Sequence, residues 1–220
     1  MSFVTWNMQG GTDSIESKWT KYVQQLVNKF NVVCLQEAGA LPNTAVSAAP
    51  PPWATAAPPA GFNWEYANWN IGTSSRPKNV YILWGNSDPN GNRVNLAICS
   101  LAAPAALLYA APGIPNGRPS LGMQFGADNV YTLHAFSGGG GDAAGLVTNI
   151  NGGPAAWFAL GDYNRAPTWA VPAGVVCPPD KPTHQSGGKL DYMVKSAGLI
   201  QTGQVQQEGS WSDHFFVAYY

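Results

Sequence analysis

Short apolar runs separated by polar, proline-rich or glycine-rich stretches dominate this chain, and they predict many strands and few helices. Most runs are too short for a buried helix and are rich in valine, isoleucine, leucine and aromatic residues, which favours strands. No repeat of fixed period interrupts the pattern. The predicted strands cover residues 3–6, 31–36, 64–69, 80–84, 93–98, 107–110, 121–125, 130–133, 157–160, 190–194 and 215–220.

One segment instead has the hydrophobic period of a helix. Its apolar face consists of Ile15, Trp19, Tyr22, Val23, Leu26, Val27 and Phe30. Asp13 followed by Glu16 fits a capping box, so we predict that this helix begins near Ser14. A strand, a helix and a second strand in close succession predict two parallel strands joined by a right-handed crossover. Asn7 and Glu37 should therefore emerge at the same edge of the sheet.

A second, shorter helix is predicted from Asp142, as its N-cap, to about Asn149. Residues 42–61 are rich in proline and alanine, and we expect a surface loop without regular structure. With 220 residues the chain can build one sizeable core, so we expect a single domain spanning residues 1–220.

Charge gives little support to general nucleic-acid binding, because the net charge is −1 and only 10% of the residues are charged. The placement of arginine is more informative. All four arginines lie in loop-like contexts, and arginine suits bidentate phosphate recognition. A few of them gathered in one cleft can bind a polyanion. These arginines are Arg76, Arg93, Arg118 and Arg165.

The three cysteines give no paired framework. We predict that Cys34 and Cys99 are core residues of strands, and that Cys177 is a free thiol in an exposed loop. No apolar run reaches the ~18 residues of a membrane span. Residues 1–4 lack a leader-like pattern, so we expect either a cytosolic protein or the mature form of a secreted one.

Polar side chains follow several predicted strands. The stretch 157–167 shows this most clearly, because its buried run stops at Gly161 and is followed at once by Asp162, Asn164 and Arg165. Such residues also suit an ordinary turn, so the signal depends on other strand ends, where rigid elements can position a site. The polar residues at strand ends or starts are Asn7, Glu37, His134, Asp162, Asn164, Asp191, Asp213 and His214.

This set favours acid–base and metal chemistry, because it contains two of the three histidines and four carboxylates. Zinc is disfavoured by the lack of His-x3-His or Cys-x2-Cys spacing. Oxygen ligands from Glu37, Asn7 and Asp213 suit magnesium or manganese. The glycine run 138–141 lacks the Lys-Ser/Thr of a phosphate-binding loop.

Taken in order, these motifs resemble the endonuclease/exonuclease/phosphatase superfamily, to which deoxyribonuclease I and the inositol 5-phosphatases belong. The likeness is greater still to the family of catalytic B subunits of cytolethal distending toxins, and it covers residues 3–220. Each motif is weak alone, but the ordered set is specific. The motifs are Thr5-Trp-Asn-Met-Gln-Gly10, Gln36-Glu-Ala-Gly39, Trp69-Asn-Ile-Gly-Thr73, Gly161-Asp-Tyr-Asn164, Leu190-Asp-Tyr192 and Ser212-Asp-His214.

The resemblance implies a four-layer α/β sandwich, in which two packed mixed β-sheets are flanked by helices around a site that depends on Mg²⁺ or Mn²⁺. It implies that Glu37 is the metal ligand, with Asn7 and Asp213 near it. It also implies that His214, oriented by Asp191, is the base that activates water, and that His134 is the acid. By the same resemblance, Asp162 and Asn164 position the nucleophile and the phosphate. The phosphate- or DNA-contacting residues would be Arg93, Arg118, Arg165 and Asn95.

One departure from the deoxyribonuclease I pattern concerns the support of His134. Asn79 stands where we place a glutamate that supports the acid histidine in that enzyme, so we expect weak nuclease activity. The toxin family shares this departure.

Two functions fit the resemblance: a DNase of toxin type that nicks DNA, and a phosphoinositide phosphatase using the same site. A catalytically silent member is disfavoured by the intact residue set. As a toxin component, the chain would be secreted, would act in the nucleus of a target cell and would associate with delivery subunits.

Overall fold

The computed structural model describes residues 1–10, 15–50, 61–87, 93–153, 155–207 and 212–220. Within these ranges, strands outnumber helices, as the hydrophobic pattern predicts. The strands are β1 (Phe3–Asn7), β2 (Val32–Gln36), β3 (Ala45–Ser47), β4 (Trp64–Asn70), β5 (Asn79–Gly85), β6 (Leu96–Ser100), β7 (Ala106–Ala110), β8 (Ser120–Phe125), β9 (Asp128–His134), β10 (Ala156–Asp162), β11 (Val175–Cys177), β12 (Asp191–Lys195), β13 (Gln204–Gln206) and β14 (Phe216–Tyr219). The helices are α1 (Ile15–Lys18), α2 (Gln24–Lys29) and α3 (Ala143–Ile150), with a π-helical turn, Trp19–Val23, joining α1 to α2.

The strands form two mixed sheets. Sheet A has the order β13-β14-β1-β2-β6-β5-β4-β3, and sheet B the order β11-β12-β10-β9-β8-β7. In sheet A, β1 and β2 are parallel, as the strand–helix–strand pattern predicts, and in sheet B the parallel pair is β9 and β10. The ends of β1, β2, β9 and β10 supply most of the site described below.

Alternating side chains of the central strands divide the interior into layers. Phe3 and Cys34 of sheet A pack with Leu160 of sheet B in the core between the sheets. Val4 and Val33 point to the other face of sheet A, where α1 and α2 cover them. The outer face of sheet B is covered by α3. The molecule is therefore the predicted four-layer sandwich of two packed mixed sheets flanked by helices.

The first helix differs from the prediction in its middle. It runs from Ile15 to Lys29, but its centre is a π-helical turn that follows the buried Lys18. The capping box at Asp13 and the start at Ser14 lie outside the described residues. Asp142 does occupy the N-cap of α3, but its side chain accepts a hydrogen bond from the Phe136 backbone N–H instead of capping the helix.

Two further predictions are wrong. Cys177 lies in β11 and is fully buried, because its chain pairs with β12 at the edge of sheet B. The stretch 42–61 contains the short strand β3, which pairs with β4. Cys34 and Cys99 are buried strand residues as predicted, and all three cysteines are free thiols. In the described residues, no helix has the length and apolar character needed to cross a membrane.

Candidate active site

Strand register places three of the predicted site residues in one row across sheet B. In the parallel pair, Asp162 of β10 lies beside His134 of β9. In the antiparallel pair, Asp162 lies beside Asp191 of β12. Because paired residues point to the same side of a sheet, His134, Asp162 and Asp191 project together. All three are buried.

His214 reaches this row from sheet A, just before β14. Its Nδ1 lies 2.8 Å from Asp191 Oδ2, and its Nε2 lies 3.8 Å from Asp162 Oδ2. His134 Nε2 is 3.6 Å from the same oxygen of Asp162. Asp191, His214, Asp162 and His134 thus form a continuous chain of acid and base groups between the two sheets.

Burial and neighbouring charges shift the protonation of these groups. Burial, with the nearby Asp191 carboxylate, raises the pKa of Asp162 to about 7. Burial alone would lower the pKa of His214, but Asp191, Asp162 and Asp213 outweigh it and raise that pKa to about 9. Burial and the positive charge of Arg118 lower the pKa of His134 well below its usual range. At neutral pH these shifts favour a protonated His214 and a neutral His134.

Sheet A contributes a second set of groups at the ends of β1 and β2. The Asn7 side-chain amide donates to Asp162 Oδ2 at 3.0 Å and faces Glu37 Oε1 at 3.4 Å. Arg93 Nε donates to the other oxygen of Glu37 at 3.2 Å. Asn7 therefore ties the two sheets together at the site.

Asp213 lies on the loop before β14 and is the most exposed carboxylate of the site, with 37% of its side chain accessible. Gln9 Nε2 donates to Asp213 Oδ2 at 3.2 Å. His184 Nε2 lies 3.5 Å from that oxygen, and the His184 ring packs edge-on against His214 with 4.6 Å between centroids. Neither Gln9 nor His184 is among the predicted site residues.

Gln9 and His184 lie near predicted site residues in the sequence, but this proximity alone does not mark them as part of the site. Gln9 lies two residues after Asn7 in the Asn-Met-Gln-Gly motif. His184 lies seven residues before Asp191 and pairs with His214 in a backbone bridge. In the sequence their polar side chains resemble ordinary loop residues, since only the fold brings them beside Asp213.

The site opens into a cavity of about 290 Å³. Basic and polar groups surround it, which suits an anionic ligand. Arg118 donates to the His134 and Ala135 carbonyl oxygens, both at 3.4 Å, and Asn164 Nδ2 donates to Ala135 O at 2.9 Å. The cavity is lined by Glu37, Arg93, Val94, Arg118, His134, Ser137, Asp162, Asn164 and His214.

Two residues predicted to contact phosphate lie elsewhere. Asn95 is fully buried; its amide donates to Gly39 O at 3.0 Å and accepts from the Ser87 N–H at 3.1 Å. It supports the chain after Glu37 and is not positioned to reach a substrate. Arg165 is not part of the cavity lining; its guanidinium lies 4.3 Å from the centroid of the Trp169 ring.

The position of Asn79 corrects the prediction about His134. Asn79 is exposed and lies at the start of β5, where it pairs with Asn70. The other end of β5 pairs with the start of β6, which lies near the Glu37 loop. Asn79 therefore lies far from His134, and its identity says nothing about activity. The Nδ1 of His134 is buried and has no hydrogen-bond partner among the described residues.

The donor atoms of the site suit a hard divalent cation. Glu37 and Asp213 offer carboxylate oxygens at the more accessible side of the site, and both influence the same buried ammonium of Lys18. Oxygen donors of this kind match Mg²⁺ or Mn²⁺. The tighter groups of ligand atoms, each within 4.8 Å, are His184–Asp213–His214 and Asp162–Asp191–His214. Glu37 is outside both groups.

Comparison with known proteins settles the family. The sequence profile described as the Endonuclease/Exonuclease/phosphatase family matches residues 4–214. The chain belongs to the endonuclease/exonuclease/phosphatase family. It is 35% identical to the B subunit of the cytolethal distending toxin of Escherichia coli over 243 residues, covering 96% of this chain and 88% of that protein. This relationship supports a phosphodiesterase or nuclease.

Solved structures agree with this assignment. The chain superposes on a chain of the Haemophilus ducreyi cytolethal distending toxin with a TM-score of 0.84 and 32% identity, covering 99% of this chain and 96% of that one. For the toxin of Actinobacillus actinomycetemcomitans the TM-score is 0.86 and the identity 31%, with 99% and 97% coverage. A 3′-5′ exonuclease from Neisseria meningitidis shares the fold at 15% identity, with a TM-score of 0.59, covering 100% of this chain and 99% of that one.

Proposed function

We propose that this chain is a metal-dependent endonuclease of the DNase I type, which nicks DNA by in-line attack of an activated water on a backbone phosphate. The observation that carries the proposal is the chain of contacts Asp191–His214–Asp162–His134 beside an arginine-bearing cavity. It joins a base, an acid and a cavity lined by two arginines in one place.

His214 acts as the base. Asp191 accepts the Nδ1 hydrogen of His214 at 2.8 Å, which leaves Nε2 directed toward Asp162 and the cavity. A buried carboxylate partner fixes the tautomer and stabilises the imidazolium that forms when the water loses its proton. Asp162, held by the Asn164 backbone N–H at 2.8 Å and by Asn7, orients the water.

His134 acts as the acid that donates a proton to the leaving oxygen. Its Nε2 lies 3.6 Å from the same Asp162 oxygen, and its side chain lines the cavity. Arg118, which is bonded to the His134 carbonyl, and Arg93 hold the phosphate oxygens. Arginine suits this role because its guanidinium binds phosphate in bidentate geometry.

These roles need a neutral His214 and a protonated His134, whereas the surroundings raise the pKa of His214 and lower that of His134. The negative charge of a bound phosphate raises the pKa of His134 toward the protonated form. Glu37 and Asp213, with Asn7 near them, would hold Mg²⁺ or Mn²⁺. Bound there, the cation would supply positive charge that stabilises the phosphate oxygens. A neutral His214 accepts the proton of the attacking water at Nε2.

The names of the relatives suggest how such an enzyme is used. The Escherichia coli protein is one subunit of a cytolethal distending toxin, and we extend that setting to this chain. We propose that it is secreted as a mature form, associates with delivery subunits and acts on DNA in the nucleus of a target cell.

A plasmid-nicking assay run beside a phosphoinositide phosphate-release assay tests the substrate. We expect conversion of supercoiled plasmid to the nicked form in Mg²⁺, with His214→Ala as the control for contaminating nucleases. Phosphate release from phosphoinositides without nicking would instead establish the phosphatase that the same catalytic residues permit.

A further inference from the structure

Gln9 holds Asp213 through both atoms of its side-chain amide. Its Nε2 donates to Asp213 Oδ2 at 3.2 Å, and its Oε1 accepts from the Asp213 backbone N–H at 3.2 Å. This double contact fixes both the position and the rotation of the carboxylate, because the backbone and the side chain of Asp213 are held by one planar group. It joins segments that are 204 residues apart in the sequence.

The backbone of Gln9 holds Asn7 at the same time. Gln9 has a left-handed conformation, with φ of 47°, and its N–H donates to Asn7 Oδ1 at 3.0 Å. With that oxygen engaged, the Asn7 amide nitrogen faces Glu37 and Asp162. Non-glycine residues in this region are strained and often lie at functional sites. Gln9 therefore determines which atoms of Asn7 face the carboxylates.

The residues on either side anchor Gln9. Lys18 is buried, and its ammonium donates to the carbonyl oxygens of Met8 and Gln9, at 2.5 Å and 3.0 Å. Gly10 packs directly against the chain that carries Glu37: a Cβ at this position would lie 2.3 Å from the Glu37 carbonyl oxygen. The loop cannot shift without moving Glu37, so Gln9 is a fixed point between Asn7, Glu37 and Asp213.

We propose that Gln9 is a positioning residue for divalent-cation binding. Held by Lys18, it presets the Asp213 carboxylate directly and the Glu37 carboxylate through Asn7, whose amide nitrogen donates to Glu37. The inference rests on the proposed metal dependence. Gln9 would act by hydrogen bonding to the residues that would hold the cation, and changing a residue in that position typically alters metal affinity by about 10- to 100-fold.

Gln9→Met tests this role, because methionine keeps the length of the side chain and removes both amide contacts. Gln24→Met is the matched control: Gln24 is also partly buried and donates one hydrogen bond, to Ile71 O at 3.3 Å, on the helix. Mn²⁺ binding to each purified full-length protein is measured by titration calorimetry, and the melting temperature is measured in parallel. Nicking activity is then followed as a function of Mg²⁺ concentration.

We expect the Mn²⁺ dissociation constant of Gln9→Met to rise by about tenfold or more, while Gln24→Met binds like the wild type. Nicking by Gln9→Met should recover at high Mg²⁺, which a role in proton transfer would not allow. If the wild type nicks DNA with Mg²⁺ and Gln9→Met binds Mn²⁺ as tightly as the wild type, the positioning role is wrong and the proposed function stands. If the wild type neither binds Mn²⁺ nor nicks DNA, both are overturned.

Discussion

The two sheets hold their halves of the site in different ways. On sheet B, His134, Asp162 and Asp191 are strand residues, and the register of the sheet aligns them. On sheet A, Glu37 and Asp213 lie just beyond their nearest strands, and Glu37 has a left-handed backbone with φ of 47°. Side chains hold these loops instead: Asn95, Trp19 and Trp84 all donate to carbonyl oxygens of the chain after Glu37.

The difference matches the chemistry that we propose for each half. Proton transfer requires a donor and an acceptor held in fixed positions. The buried row of sheet B provides these for His134 and Asp162, and Asp191 holds His214, which comes from the loop before β14. Cation binding requires several oxygens gathered around the ion, and the more accessible carboxylates on the loops of sheet A can provide them once side chains hold those loops. The predictions below test this division, from the largest expected effect to the smallest.

Removal of the cation should abolish activity completely. We expect plasmid nicking to disappear in excess EDTA and to return when Mg²⁺ or Mn²⁺ is restored. Glu37→Gln, on the sheet A side, should raise the Mg²⁺ concentration needed for activity while leaving the melting temperature nearly unchanged, because the Glu37 side chain is partly exposed. Undiminished nicking in EDTA would show that the sheet A carboxylates have another role.

Loss of either histidine beside Asp162 should lower kcat by about 10²- to 10⁴-fold, the usual contribution of a positioned acid or base. His134→Ala and His214→Ala test this in single-turnover nicking at saturating Mg²⁺, with circular dichroism to verify folding. The double variant should lose less than the product of the two single losses, because the residues act as a unit. Strictly multiplicative losses would mean that the two histidines act independently.

The same division explains what the sequence could and could not predict. His134, Asp162 and Asp191 are predictable, because apolar runs mark their strands and a polar residue at a strand end is visible in the sequence. The side-chain contacts that hold the loops of sheet A cannot be predicted in this way. The resemblance implies that Asn95 contacts phosphate, although its side chain is buried, and Gln9 looks like an ordinary loop residue. The hydrogen-bond partners of both residues are distant in sequence, and only the fold brings them together.

Cys177 and Asn79 show a second limit of the pattern. A short edge strand such as β11 has too few apolar residues to stand out from a loop, so the pattern predicts an exposed Cys177. Motif order alone places Asn79 beside His134. The antiparallel pairing of β5 and β6 instead puts Asn79 at the end of β5 that is farther from the site. Strand direction and pairing are tertiary properties, which a local pattern does not contain.

The arginines provide a sharper test of the cavity. Arg118 lines it, whereas Arg165 packs on Trp169 outside its lining. We expect Arg118→Ala to raise the KM for DNA by about tenfold, as for loss of one charged hydrogen bond, with little effect on kcat. Arg165→Ala is the matched control and should raise KM less. A larger effect from Arg165 would place the bound DNA along the Trp169 side of the site.

The smallest effect is expected from His184, which contacts Asp213 and His214 on the sheet A side but is not the sole support of either. The Ser186 backbone N–H donates to His184 Nδ1 at 3.0 Å, so Nε2 carries the hydrogen that faces Asp213 Oδ2 at 3.5 Å. Gln9 holds that oxygen independently, at 3.2 Å. His184→Ala should therefore retain more activity than His134→Ala or His214→Ala, and His184→Gln, which can still donate to Asp213, should retain more again. All variants are compared by initial nicking rate at one Mg²⁺ concentration. If folded His184→Ala were as inactive as His214→Ala, the assignment of His214 as the base and His184 as a supporting residue would be wrong.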